Sequence, residues 1–176
     1  MIDDNNIGRG RMLPPLPERM RPHDLDGYVG QKHLIGKGCV LRNMIETGNL
    51  SSFILWGPPG VGKTTLSRIV ANSLKREFYT LSAVSAGVKE VREVIEKSRS
   101  NSLWSGGVAP ILFIDEIHRL SRTSEEVLYS AMEDFAVDIV TGKGPMANSI
   151  HMTVPKFTLI GATTRAGQLS APLRDR

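Results

Sequence analysis

The stretch from Phe53 to Thr65 reads FILWGPPGVGKTT, and its second half holds the residue types a phosphate chain asks for. Gly57, Pro58, Pro59, Gly60, Val61, Gly62, Lys63 and Thr64, followed by Thr65, have the spacing G-x-x-x-x-G-K-T between an apolar run and a helical pattern. Glycines at 57, 60 and 62 let the backbone turn its N–H groups inward around phosphate oxygens with no Cβ in the way. The helix that follows would aim its positive end at the same anion. Lys63 can reach the β- and γ-phosphates of a nucleotide, and the Thr64 hydroxyl can ligate Mg²⁺. Loop and context together favour a nucleotide site over a glycine-rich turn with a chance lysine.

Asp115 and Glu116 follow directly on the apolar run Ile111-Leu112-Phe113-Ile114. A carboxylate at the end of a buried strand, beside a phosphate loop, is placed to hold Mg²⁺. Glu116, next in line, is placed to orient or deprotonate an attacking water. An acidic pair capping a helix is the bland alternative, and the phosphate loop upstream weighs against it. Thr163 closes a later strand, where its hydroxyl could meet the γ-phosphate or cap a turn; the residues alone leave both open. Arg174 and Arg176 read either as helix-end cations or, in an oligomer, as charges lent to a neighbouring subunit's nucleotide.

The elements that must position these groups are legible as alternating strands and helices. Phe53–Trp56, Phe78–Leu81, Ile111–Ile114 and Phe157–Ile160 read as strands, the third continuously apolar as in a parallel sheet covered on both faces. Helical spacing appears at Val40, Leu41, Met44 and Ile45, closing at Gly48. It returns at Leu66, Ile69, Val70 and Leu74, and again at Val88, Val91, Val94 and Ile95. Thr123 to Glu126 has capping-box spacing ahead of Val127, Leu128 and Ala131. Val137/Ile139/Thr141 and Ile150/Met152/Val154 alternate around Gly142 to Pro145 and predict a β-hairpin. The order implies an α/β fold with a parallel sheet flanked by helices, preceded by a flexible arm over residues 1–17.

Bulk properties exclude several classes. The chain has 176 residues, 40% of them hydrophobic and 23% charged, with a net charge of +4. That suits one globular domain and permits a nucleic-acid partner without demanding one. Cys39 stands alone, so no disulfide framework exists. The polar N-terminus does not read as a signal peptide, and no run approaches a membrane span, so we expect a cytoplasmic protein with no membrane partner.

GPPGVGKTT, ILFIDEIHR, TLIGATTRAG and SAPLRDR together resemble the AAA+ ATPases, and Ile111 to Arg176 is similar to the RuvB family of Holliday-junction branch-migration ATPases. The resemblance implies a P-loop NTPase large subdomain over residues 18–176 carrying a pre-sensor hairpin. A fifth strand, a helical lid and a winged helix would lie beyond Arg176. It also implies ATP and Mg²⁺ as cofactors, Lys63, Thr64, Asp115 and Glu116 as Walker residues, Thr163 as sensor 1 and Arg176 as arginine finger. Tyr28, Val29 and Gly30 would line the base pocket. Ile150 and Met152 would dock a RuvA-like protein, and a homo-oligomeric ring would act on four-way DNA. ERMRPHDLDGYVGQKHLIG and LSAVSAGVKEVREVIEKSR, in contrast, resemble the clamp-loader-related RarA family, which leaves a replication-fork ATPase as a rival. A non-catalytic nucleotide-binding module that associates with a full-length relative is a third reading.

Overall fold

The apolar run at Ile111 forms the buried centre of a parallel sheet. The computed structural model describes residues 15–102, 108–141 and 148–174. Among these, β1 (Phe53–Trp56), β2 (Phe78–Ser82), β3 (Ile111–Asp115) and β6 (Thr158–Thr163) pair in the order β1-β6-β3-β2. Every pairing in this sheet is parallel. Ile111 to Ile114 of β3 and all of β6 are buried, as strands covered on both faces must be.

Helices cover the two faces, and the period-2 alternation of β3 sorts its side chains between them. Ile111 and Phe113 join Leu66 and Val70 of α4 (Lys63–Ser73) in one core. Leu112 and Ile114 join Val91 and Ile95 of α5 (Val88–Ser102) and Leu128 of α6 (Arg122–Glu133) in the other. The short helices α1 (Leu16–Arg19), α2 (Lys32–Ile35) and α3 (Val40–Thr47) precede β1, and α7 (Ala171–Arg174) follows β6. Gly48 ends α3 at φ 70°, the left-handed cap expected from the sequence.

Three expectations are amended. Of the arm placed over residues 1–17, the part up to Pro14 lies outside the described residues. Leu16 to Arg19 form a helical turn that Pro17 can open because no N–H is needed there. Glu18 then anchors this turn through ion pairs of 3.0 Å to both Arg21 and Arg68. The α6 cap is Ser121, not Thr123: the Ser121 hydroxyl accepts from Ser124 N at 3.1 Å, and Thr123 is already helical. Helix α5 runs on to Ser102, past the start of the loop expected at Asn101.

The hairpin forms from β4 (Ala136–Thr141) and β5 (Asn148–Thr153), antiparallel with Val137 opposite Met152. Its Gly142–Pro145 turn lies outside the described residues. Met152 is buried, whereas Ile150, 54% exposed, is presented to solvent. Among the described residues no helix is long and apolar enough to cross a membrane.

Replacing Ser121 by alanine removes the side-chain cap of α6 and is expected to lower stability by about 1 kcal/mol. Thr123→Ala should change it by less than about 0.5 kcal/mol. Equilibrium denaturation of the two variants tests this; equal effects would contradict the assignment.

Candidate nucleotide site

At Trp56 the chain leaves the sheet and turns into the glycine loop. Gly60 and Gly62 adopt left-handed φ values of 80° and 87°, where any Cβ is strained. Gly62 is doubly constrained, because a Cβ there would sit 2.7 Å from the Tyr28 hydroxyl. It caps α4, whose first-turn N–H groups receive no side-chain cap among the described residues and have no intrahelical partner. These donors and the helix dipole together favour an anion. Gly57 N donates to Thr163 O at 3.2 Å, tying the start of the loop to the end of β6.

Lys63 and Tyr28 brace the loop. The Lys63 ammonium donates to Gly57 O at 2.8 Å and Pro58 O at 2.9 Å. The Tyr28 hydroxyl donates to Val61 O at 3.2 Å, and burial holds its pKa above the usual 10.0. Val29 is 94% exposed, and Gly30 turns the chain at φ 96°. Of the three residues assigned to the base pocket, Tyr28 thus touches the phosphate loop itself.

Asp115 ends β3 opposite Ser82, and its Oδ1 accepts from Glu116 N at 3.1 Å. Pro59, Gly60, Gly62, Lys63, Thr64, Thr65, Asp115 and Glu116 line one cleft of about 320 Å³, together with Arg21. The residues predicted to share a triphosphate and its metal are therefore brought together. Among the described residues no group of three or more His, Cys, Asp or Glu could hold a metal alone. Thr64, Thr65, Asp115 and Glu116 bring side-chain oxygens to this cleft. That set suits Mg²⁺, which keeps several waters and takes phosphate oxygens for the rest.

Glu116 sits at φ 51° and its Oε2 accepts from Thr164 Oγ1 at 2.9 Å and Thr164 N at 3.3 Å. Thr163, fully buried, has its hydroxyl 2.8 Å from His118 Nδ1 and accepts from Arg165 N at 3.0 Å. Of the two threonines, Thr164 therefore touches the Glu116 carboxylate and Thr163 stands one hydrogen bond behind it. Arg176 lies outside the described residues. Arg174, two positions earlier, lines a separate apolar hollow with Phe53, Trp56, Tyr129 and Met132.

Arg21, Thr164 and His118 join the site without having been expected from the sequence. The Thr163-Thr164 repeat and the histidine in the DEIH run were visible signals. Arg21 offered none, since its place in the cleft depends on how the segment before Pro22 lies across α4.

The partly buried hydroxyl of Tyr28 has a sign-definite consequence. Its folded pKa lies above the unfolded value, so its contribution is intact below pH 10 and lost as the unfolded phenol ionises and pH rises through the folded pKa. Thermal unfolding of Tyr28→Phe should therefore decline less steeply above about pH 10 than that of the parent. Parallel pH profiles would contradict the burial.

Comparison with known proteins agrees with this geometry. A sequence profile described as the Holliday junction DNA helicase RuvB P-loop domain matches residues 20–176. The Holliday junction branch migration complex subunit RuvB of Lactiplantibacillus plantarum is 48% identical over 164 residues, covering 92% of this chain and 46% of that protein. Its counterpart in Pediococcus pentosaceus is 48% identical over 182 residues, covering 99% of this chain and 52% of that protein. The structure of the Thermotoga maritima RuvB Holliday junction branch migration motor superposes with a TM-score of 0.67 at 37% identity, over 89% of this chain and 46% of that one. The chain thus spans about half the length of these relatives. The matched span includes most of the N-terminal stretch whose motifs resemble RarA, so the RuvB reading is favoured over that rival across residues 20–176. With its parallel sheet, phosphate loop and acidic strand end, the chain belongs to the RuvB P-loop domain family.

Proposed function

We propose that this chain is the ATP-hydrolysing core of a RuvB-like DNA motor that drives branch migration of four-way junctions. The observation that carries the reading is the single cleft shared by Lys63, Thr64, Asp115 and Glu116. Phosphate oxygens would compete for the Lys63 ammonium, now shared between two loop carbonyls, and for the first-turn N–H groups of α4. Thr64 and Asp115 would hold Mg²⁺, which when bound supplies charge neutralisation across the β- and γ-phosphates. Glu116 would orient the attacking water and take its proton as the water oxygen bonds to the γ-phosphorus and the bond to the bridging oxygen breaks in line, releasing ADP. Arg21, on the rim of the same cleft, adds positive charge.

Arg176 would serve the nucleotide of the next subunit in a homo-oligomeric ring. Support comes from the family match, which extends through residue 176. The exposed Ile150 gives the hairpin an apolar contact for a RuvA-like protein, and Met152, two residues on along the same strand, is buried. Coupling of hydrolysis to DNA movement would belong to the assembled ring, acting in the cytoplasm. A non-catalytic module remains the competing reading, since binding and turnover call on different residues.

Steady-state hydrolysis and fluorescent-nucleotide binding separate the two. The parent should hydrolyse ATP with Mg²⁺, and Lys63→Ala should weaken nucleotide binding by about tenfold or more. Glu116→Gln should retain binding while kcat falls by about 10²- to 10⁴-fold. Turnover in the parent no higher than in Glu116→Gln, with binding intact, would favour the non-catalytic module.

A further inference from the structure

His118 is buried, polar and has no part in the chemistry assigned so far. Its side chain is 5% exposed, and its Nδ1 lies 2.8 Å from Thr163 Oγ1 and 3.3 Å from Glu116 Oε2. The ring is carried by the 3₁₀ turn Ile117–Arg119, which folds it back beneath Glu116; Arg119 N closes that turn on Glu116 O at 2.8 Å. Ile117, fully buried, wedges against Gly161 so closely that a Cβ on the glycine would lie 3.0 Å from Ile117 Cδ1. The turn is therefore held against β6.

Donor and acceptor arithmetic then decides the tautomer. An ionised carboxylate only accepts, so a bare Nδ1 at 3.3 Å would set lone pair against lone pair. Thr163 Oγ1 has two lone pairs, one already taken by Arg165 N, which leaves the other for an imidazole N–H. The Thr163 hydroxyl can accept from Nδ1–H or donate to a bare Nδ1, so the carboxylate, which can only accept, is the neighbour that calls for hydrogen on Nδ1. We propose that His118 is a positioning residue whose Nδ1–H, shared between Glu116 and Thr163, fixes the orientation of the Glu116 carboxylate.

On this arrangement Oε2 collects the Thr164 hydroxyl, the Thr164 N–H and the His118 N–H. Oε1 is then the oxygen that faces a water. The left-handed backbone of Glu116 makes such an anchor necessary, because a strained residue keeps one conformation only when its surroundings over-determine it. The tether also joins the ends of β3 and β6, so a displacement at Thr163 or Thr164 is passed to the carboxylate. Its catalytic consequence rests on the ATPase reading above; its geometry does not.

Two measurements on the full chain test it. Long-range ¹H–¹⁵N correlation of the His118 ring, under conditions where the imidazole is neutral, should give the Nδ1–H tautomer; the Nε2–H tautomer would overturn the proposal whether or not the chain turns over ATP. In the variants, His118→Asn keeps an amide near Nδ1, whereas His118→Gln carries it out to the Nε2 position. Nucleotide affinity should stay within about twofold in His118→Asn, His118→Gln and His118→Ala, while kcat falls about tenfold or more in the last two and only a few-fold in the first. Equal kcat in the asparagine and glutamine variants, or parent-like kcat in His118→Ala, would overturn it. A parent with no turnover above Lys63→Ala would overturn the ATPase reading instead, and the tautomer would still decide the tether.

Discussion

Parallel register is the constraint on which the site depends. Trp56 pairs with Thr163, and Ile114 with Gly161, so β1, β6 and β3 reach the same rim of the sheet within a residue or two. The phosphate loop leaves from one strand end, Asp115 and Glu116 from another, and Thr163 and Thr164 from the strand between. A slip of one residue would turn each of these side chains to the opposite face. The register is secured by apolar burial on both faces of β3 and β6, where Phe113 and Ile160 serve one core and Ile114 and Leu159 the other. Burial far from the chemistry thus sets the geometry at the rim, which lies where ligands of open α/β sheets are bound.

At that rim the backbone is bent to put polar groups in place. Gly60 and Gly62 adopt left-handed angles at no steric cost, whereas Glu116 does so with a full side chain. Each bend is stabilised locally: the loop by Lys63 and Tyr28, the acidic corner by Thr164 and His118. The division of labour is clear in the two threonines. Thr163 is buried in the fold and supports His118, and Thr164 is the one that meets the carboxylate.

What could be read from the letters was whatever is governed by local pattern. The four core strands, the helix following the glycine loop and the hairpin pairing all follow from runs and periods in neighbouring residues. Lys63, Thr64, Asp115 and Glu116 were legible for the same reason, since a loop motif and a strand end are local features. The parts that escaped depend on contacts between distant segments. Arg21 enters the cleft because Glu18 pairs with Arg68 across the fold. Tyr28 reaches Val61 rather than only the base region because its loop crosses the phosphate loop. The Ser121 cap was missed for a smaller reason: two serines three apart satisfy the same donor that the Thr123–Glu126 spacing suggested. Met152 reads as half of a docking pair in the sequence, yet the hairpin turns it inward.

The most direct trial of the account is a crystal structure of the full chain with Mn²⁺ in place of Mg²⁺ and a non-hydrolysable ATP analogue, with the metal located by its anomalous signal. One peak is expected between the analogue's β- and γ-phosphates, about 2.1–2.2 Å from Thr64 Oγ1 and bound to Asp115 directly or through one water. Lys63 should have left Gly57 O and Pro58 O for the phosphates. A metal held away from Thr64 and Asp115, or phosphates lying outside the glycine loop, would contradict it.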